Sequence, residues 1–171
     1  MLATIRGRVW KFGDDIDTDS MAPFHALTQP PEVRKRTMFP ARPEFAQQVQ
    51  AGEIIVAGRN FGCGSSREQA PENLRLAGIA AVVAESFARI YFRNGIAMGF
   101  PQVVCPGIAA ACEEGHIVEI DLEAAMVTNL SAITAGAPVT LQARAYAAPM
   151  LAILRAGGLM ALLQSEAKAR A

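Results

Sequence analysis

The sequence predicts an α/β fold, with a central parallel sheet, a smaller antiparallel sheet and flanking helices. Apolar, strand-like segments alternate with helical segments through the middle of the chain, which is the order typical of parallel strands joined by right-handed crossovers. These segments are Glu53–Ala57, Ile79–Ala84 and Gln102–Cys105. Later segments are separated only by turns and predict the antiparallel part: Ile117–Leu122, Met126–Asn129 and Val139–Ala143. Neither a repeat nor a linker divides the chain, so we expect one domain over residues 1–171.

The remaining elements follow from local patterns. Thr4–Phe12 alternates as a strand, and an acidic loop, Gly13–Asp19, follows it. Residues 20–43 contain five prolines and predict a long irregular loop with one helical turn near Glu32–Arg36. Two predicted helices begin at serine caps: one is capped by Ser65 or Ser66 and ends at Gly78, and the other is capped by Ser86 and runs to Met98. The other predicted helices are Glu44–Gln50, Pro149–Ala156 and Leu159–Ala169.

The composition excludes several classes of protein. Of the 171 residues, 51% are hydrophobic and 19% are charged, and 16 basic residues balance 16 acidic ones. This balance offers no basic excess for nucleic acid, and no apolar run approaches the ~20 residues that cross a bilayer. The three cysteines form no CxxC pair and predict reduced thiols in the cytoplasm. They also provide too few ligands for an iron–sulfur or zinc site on this chain alone.

The most informative segment is Gly-Cys-Gly-Ser-Ser-Arg-Glu, residues 62–68. Two glycines after a strand and before a helix leave backbone N–H groups available to a phosphate or carboxylate. Gly62 and Gly64 match the start of a dinucleotide fingerprint, but Arg67 stands where a Rossmann fold needs a third glycine for close packing. A tight turn with a solvated arginine remains an alternative.

Ser65, Ser66 and Arg67 could act together on a carboxylic acid. A helix N-terminus and a neighbouring arginine both favour a serine alkoxide, which could take or return a proton at carbon. Arg67 could hold a carboxylate through two parallel hydrogen bonds. A nucleophilic serine is less favoured, because the candidate bases His25 and His116 are distant in the sequence.

Two other patterns have weaker functional interpretations. Asp15–Asp19 resembles the start of a calcium loop, but its sixth position is Ser20 and its twelfth is Ala26. We therefore expect its Asp and Thr side chains to bond to loop backbone instead. The helix that follows the third predicted strand carries Arg89 and Arg93, which either reach the crevice at the strand ends or lie on a solvated face.

Three longer motifs resemble one family. The stretches GDDIDTD, GEIIVAGRNFGCGSSREQAP and AVVAESFARIYFRNGIAMGFP are similar to segments of the small subunits of 3-isopropylmalate dehydratase. The similarity runs from about Gly7 to Leu122. These subunits are the separate-chain form of the swivelling fourth domain of aconitase. The resemblance therefore implies a swivelling β/β/α domain, in agreement with the strand order above.

The resemblance also implies a partner and roles for single residues. In the family, a large subunit carries a [4Fe-4S] cluster that activates the substrate hydroxyl, so we expect this chain to bind no cofactor or metal and to be inactive alone. The catalytic serine of the family, the base for the carbon-bound proton, corresponds to Ser65. Ser66 and Arg67 correspond to residues that contact a substrate carboxylate.

The stretch that determines the substrate in relatives corresponds to His25-Ala26-Leu27-Thr28. Some relatives carry an arginine for a distal carboxylate where this chain has Leu27. A carboxylate desolvated against leucine is costly, so these substrate-binding positions predict a malate-type substrate with an alkyl group. Isopropylmalate, a substrate of leucine biosynthesis, ranks first, followed by dimethylmalate or citraconate. Arg34 or Arg36 could still enter the site and change this ranking.

Two other classes of function stay open. The chain could be a stand-alone carboxylate-binding module, which would bind its ligand alone and give no turnover with a partner. It could also be a nucleotide-binding regulator, which NAD or ATP would stabilise against heat. The retained Ser65, Ser66 and Arg67 favour a hydro-lyase subunit over both.

Overall fold

Seven strands form the sheet in the computed structural model, which describes the backbone of residues 4–170 and the side chains of residues 4–169. They are β1 (Ile5–Lys11), β2 (Ile54–Ala57), β3 (Ala81–Ala84), β4 (Gln102–Val104), β5 (Ile117–Asp121), β6 (Met126–Thr134) and β7 (Ala137–Gln142). The helices are α1 (Thr18–Met21), α2 (Pro31–Arg36), α3 (Pro43–Gln48), α4 (Gln69–Leu76), α5 (Arg89–Ala97), α6 (Ile108–Ala111), α7 (Ala148–Ala156) and α8 (Leu159–Arg170).

The sheet has a parallel half and an antiparallel half that share β1. Its strand order is β4-β3-β2-β1-β5-β6-β7, with β1 to β4 parallel and β5 to β7 antiparallel. The end of β1, Val9–Lys11, pairs with β2, whereas its beginning, Ile5–Arg8, pairs with β5. The predicted fold class is therefore confirmed, and the two predicted parts are joined through one strand.

Burial explains the character of each half. All residues of β2 and β3 are buried, as expected for parallel strands covered on both faces. By contrast, β5 alternates between buried and half-buried positions, which is typical of a strand with one core face. On β1, Trp10 contributes to a core cluster with Phe45 and Tyr91, whereas Val9 belongs to a second cluster that includes Leu154.

The predicted helix starts are wrong at two places. Helix α4 follows Glu68, which makes no side-chain capping bond, so neither Ser65 nor Ser66 caps it. Helix α5 follows Ala88 rather than Ser86. In both cases tertiary contacts occupy the serine side chain: the Ser65 hydroxyl lies against Thr18 and Asp19, and the Ser86 hydroxyl accepts from the backbone of Asn60.

The proline-rich segment is more regular than the sequence predicts. Residues 20–43 hold the end of α1, a 3₁₀ turn at Phe24–Ala26, all of α2 and the start of α3, rather than one helical turn. Pro31 and Pro43 each begin a helix, where a missing N–H has no cost. Helices α1 and α2 pack against α4, which follows the glycine turn, and α3 packs against α2.

The C-terminal helices α7 and α8 are separated by Gly157 and Gly158, and Gly157 ends α7 in a left-handed conformation. Within residues 4–170, no single helix is long and apolar enough to cross a membrane. Ala148–Ala156 and Leu159–Ala169 meet that criterion only as a pair, by length and composition, with a bend of 88° between them.

Candidate functional site

The acidic loop and the glycine turn are bonded to each other along their lengths. The backbone N–H of Gly62 donates to the Ile16 carbonyl at 2.7 Å, and that of Thr18 donates to the Cys63 carbonyl at 2.9 Å. Asp14 and Asp15 accept hydrogen bonds from the backbone of Arg59 and from the side chain of Asn60. The expectation that the Asp and Thr side chains of Asp15–Asp19 bond to loop backbone is confirmed for Asp17, which caps α1 through Ser20 N–H, and for Thr18, which donates to the Ser65 carbonyl.

Gly62 is required by the geometry of the turn. Its φ is +80°, a backbone conformation that residues with a side chain rarely adopt. In addition, a Cβ atom at this position would overlap the ring of Tyr91, which packs beneath the turn. The aromatic residues Phe61, Phe87 and Tyr91 form a cluster there, with ring centroids 5.4 to 6.3 Å apart. A rigid floor therefore holds the turn in one conformation.

Ser65 is exposed and lies against the start of α1. Its hydroxyl is 3.3 Å from Thr18 Oγ1 and donates to Asp19 Oδ1 at 3.4 Å. The one hydroxyl proton of Thr18 goes to the Ser65 carbonyl, at 2.9 Å. The Ser65 proton therefore points towards Thr18 and Asp19, which leaves lone pairs of Ser65 Oγ available to a ligand. The neighbouring Ser66 is also exposed, and its hydroxyl has no hydrogen bond to residues 4–169.

Arg67 is held on two sides. Its Nη2 forms an ion pair with Asp19 Oδ1 at 2.8 Å, and its Nη1 donates to the Ala22 carbonyl at 2.6 Å. A guanidinium group has five N–H donors, so about three remain for a ligand. Because these contacts cross from the turn to the end of the acidic loop and to the residues just after it, Arg67 also fixes the position of α1.

The predicted substrate stretch lies in and after the 3₁₀ turn. His25 and Thr28 are exposed, whereas Leu27 is half-buried and packs against the core cluster that contains Trp10. Among the described residues, no hydrogen bond or ion pair joins His25 or Thr28 to the turn at 62–67. Arg34 is buried at 8% exposure and forms an ion pair with Glu72 of α4, and Arg36 is exposed.

Two residues of this site were missed by sequence reasoning. Thr18 and Asp19 were expected only to bond to loop backbone. Thr18 does so through the Ser65 carbonyl, but both side chains also lie against the Ser65 hydroxyl, and Asp19 pairs with Arg67. The acidic motif itself is the sequence signal for their role. However, Thr18 and Asp19 are 47 and 46 residues from Ser65 in the sequence, so local patterns do not predict the contact. Arg89 and Arg93 line a different cleft, which contains no residue of the turn at 62–67.

The cysteines do not form a metal site. All three are free thiols, and no group of three or more His, Cys, Asp or Glu residues in the described part of the chain is arranged to hold a metal. Burial raises the pKa of Cys105 to about 12 and that of Cys112 to about 11. Desolvation, followed by the charges of Asp15 and Asp17, also raises the pKa of the half-buried Cys63 beside the turn.

Fold and site together define a protein of the aconitase C-terminal domain class. The family model described as Aconitase C-terminal domain matches residues 23–104, which include most of the proline-rich segment, the turn and α5. More specifically, the chain belongs to the family of 3-isopropylmalate dehydratase small subunits. The relatives below cover nearly its whole length at identities well above the level that establishes a family.

One such relative is the 3-isopropylmalate dehydratase small subunit 1 of Methanopyrus kandleri, 49% identical over 97% of this chain and 96% of its own. The methanogen homoaconitase small subunit of Methanothermobacter thermautotrophicus is 48% identical, over 94% and 91%. The isopropylmalate/citramalate isomerase small subunit of Methanocaldococcus jannaschii is 46% identical, over 97% of each chain. Identity at this level therefore does not distinguish among the substrates in these names.

A solved structure supports the same family. The crystal structure of 3-isopropylmalate dehydratase from Methanocaldococcus jannaschii matches with a TM-score of 0.88 and 37% identity. The match covers 98% of each chain, so the parallel and antiparallel halves and the flanking helices are shared.

Proposed function

We propose that this chain is the small subunit of a hydro-lyase that interconverts 2-isopropylmalate and 3-isopropylmalate by dehydration and rehydration, as in leucine biosynthesis. The observation that carries the proposal is the exposed Ser65, which contacts Thr18 and Asp19 beside an immobilised Arg67. This arrangement occurs in a chain 49% identical to a relative of that name. We propose further that residues 1–171 form one domain, which the single sheet through the described chain supports.

Ser65 is proposed to be the catalytic base. Dehydration removes a hydroxyl from one carbon and a proton from its neighbour, and rehydration returns them in the opposite order. Ser65 Oγ takes the carbon-bound proton while its own proton moves along the existing hydrogen bond to Asp19. Asp19 thereby becomes a neutral carboxylic acid, the negative charge leaves the substrate with the departing hydroxyl, and no isolated alkoxide forms.

Substrate binding is assigned to the residues around this base. The remaining donors of Arg67 and the unpaired hydroxyl of Ser66 would hold a carboxylate of the substrate. His25, Leu27 and Thr28 would contact its alkyl end, with Leu27 as the apolar surface. Arg34 does not compete for this role, because its guanidinium is buried and paired with Glu72.

The proposal requires a large partner subunit with a [4Fe-4S] cluster. Such clusters need several cysteine thiolates, and this chain does not fit one, because Cys105 and Cys112 are buried in its core. A cluster on the partner would supply a Lewis acid for the departing hydroxyl. We also propose a cytoplasmic location, which the three free thiols support. The number of copies of each subunit follows from mass measurement of the assembled enzyme.

A second candidate has specific support. A relative 46% identical to this chain is named for citramalate as well as isopropylmalate, so a smaller alkylmalate, in the class of citraconate hydration, could be the main substrate.

The test is an assay of the assembled enzyme. The chain is mixed with its large partner, the cluster is reconstituted without oxygen, and isopropylmalate, dimethylmalate, citraconate and homoaconitate are offered side by side. Fastest turnover of isopropylmalate supports the proposal, and fastest turnover of citraconate supports the second candidate. No turnover of any of the four, with tight binding by the chain alone, would instead favour a carboxylate-binding module.

A further inference from the structure

A second cleft lies at the outer edge of the parallel half. Its volume is about 450 Å³, within the range of small-molecule sites. One wall is the beginning of α5, the floor is β4, and the other wall is the segment 144–147 that leads from β7 to α7. None of the residues 13–28 or 58–68 lines it, so the proposed dehydratase chemistry gives it no role.

The charge of this cleft favours an anion. Arg89, Arg93 and Arg144 line it, and none of their guanidinium groups forms an ion pair or hydrogen bond with residues 4–169. The one carboxylate in the lining, Glu85, is already bonded: its oxygens accept from the backbone N–H of Gly107 at 2.8 Å and of Ala109 at 2.9 Å. Because arginine keeps its charge at all ordinary pH, the cleft carries a net positive charge.

Apolar side chains make up much of the remaining lining. Phe87, Phe92 and Met150 lie on the walls and Val104 on the floor, and they would contact a compact hydrocarbon or aromatic group. Hydrogen bonds also hold the cleft in its shape. The Tyr146 hydroxyl bonds to both backbone groups of Gln102, accepting at 3.1 Å and donating at 2.8 Å, and so ties the far wall to the floor.

Gln102 closes the floor of the cleft from below. This residue is fully buried, and its side-chain amide lies against Gly95 of α5 and beside the Tyr91 hydroxyl rather than facing the cleft. Contacts with a ligand therefore come from the exposed arginines and the apolar side chains of the lining.

We propose that this cleft binds a small organic anion, namely a carboxylate that carries a compact apolar group. The carboxylate would lie between the guanidinium groups of Arg93 and Arg144, where paired N–H donors match its two oxygens. The apolar group would lie against Phe87 and Met150. The proposal does not depend on the dehydratase function, since the two sites share no proposed binding residue.

The test uses 3-phenylpropanoate as the probe, with the full chain and with the assembled enzyme. Binding is followed by calorimetry and by the arginine Nε–H signals in NMR spectra. We expect saturable binding that weakens about tenfold or more in Arg93→Gln and in Arg144→Gln. Both side chains are exposed, so these variants should fold. The matched control is Arg6→Gln, which removes the same charge from an exposed arginine outside the cleft and should leave affinity unchanged.

Two further probes separate the parts of the proposal. The amide 3-phenylpropanamide lacks the charge, and inorganic phosphate lacks the apolar group. Each should bind at least about tenfold more weakly than 3-phenylpropanoate. Absence of saturable binding, an equal loss in Arg6→Gln, or equal affinity for phosphate would each overturn the proposal. It would also be overturned if assembly with the large subunit protected residues 144–147 from hydrogen exchange and abolished binding, since the cleft would then be a surface for the partner.

Discussion

Asp19 and Arg67 form an ion pair with 2.8 Å between Oδ1 and Nη2, and the same carboxylate oxygen accepts the Ser65 hydroxyl at 3.4 Å. One carboxylate therefore connects the proposed base to the proposed carboxylate-binding residue. Because the Asp19 side chain is 65% exposed, the pair contributes little to stability, in the range of ~0–1 kcal/mol. The ion pair instead positions the two side chains and allows proton transfer. Its effects on activity and on stability can therefore be measured separately.

Asp19→Asn should lower kcat by about tenfold to a hundredfold, because an amide keeps the shape of the carboxylate but cannot accept the Ser65 proton. The free energy of unfolding should change by less than ~1 kcal/mol. Steady-state kinetics of the assembled enzyme and urea denaturation of the chain check both parts. Glu32→Gln, which removes an exposed carboxylate elsewhere, is the control. Unchanged kcat in Asp19→Asn would remove Asp19 from the proton path.

Arg67→Lys should raise KM about tenfold or more. A single ammonium group cannot contact Asp19 and the Ala22 carbonyl while it also holds a substrate carboxylate. Arg59→Lys is a matched control, because Arg59 lies in the same loop, is exposed and has no side-chain partner among the described residues. Equal KM values for Arg67→Lys and the unmodified enzyme would show that Arg67 has only a structural role.

Ser65→Ala should reduce kcat by about a hundredfold or more and leave KM nearly constant, because it removes the proton acceptor without removing the carboxylate contacts. Ser66→Ala should show the opposite pattern, with a higher KM and a smaller effect on kcat. Both serines are exposed, so neither change should affect folding. If Ser65→Ala retains most of its activity, the base lies elsewhere, and the Ser66 variant then indicates whether the adjacent serine has that role.

The contrast between turn and loop shows what the sequence could predict. The parallel half was predictable because the apolar segments of β2 and β3 are fully buried. The turn was predictable because Gly62 and Gly64 follow a strand, and Arg67 argues against a dinucleotide fingerprint. The helix starts were not predictable, since the hydroxyl of Ser65 contacts Thr18 and Asp19 and that of Ser86 accepts from Asn60, so neither caps a helix. The contact of Asp19 with Ser65 depends on folding of distant segments, which local patterns do not encode.

Leu27→Arg should shift the preference between substrates. In the assembled enzyme, turnover of isopropylmalate should fall, and that of homoaconitate, which carries a distal carboxylate, should rise relative to it by about tenfold. Because Leu27 packs partly against the core, the variant should also lose ~1–2 kcal/mol of stability. Leu27→Met keeps an apolar side chain and serves as the control. An unchanged ratio of the two activities in a folded Leu27→Arg variant would show that Leu27 does not determine substrate preference.

The buried thiols predict a loss of stability in alkali. Cys105 and Cys112 have pKa values raised by burial to about 12 and about 11, from 9.0 in the unfolded chain. Above pH 9 the unfolded chain releases these protons while the folded chain keeps them, so the free energy of unfolding falls as pH rises. Each thiol contributes at most about 1.4 kcal/mol per pH unit.

Urea denaturation at pH 8, 9 and 10 measures how steeply the free energy of unfolding falls with pH. The slope should be shallower in Cys105→Ala and Cys112→Ala. Val103→Ala, in the same core cluster, should lower stability at every pH and keep the slope. Equal slopes in all three variants would show that the thiols do not cause the alkaline loss.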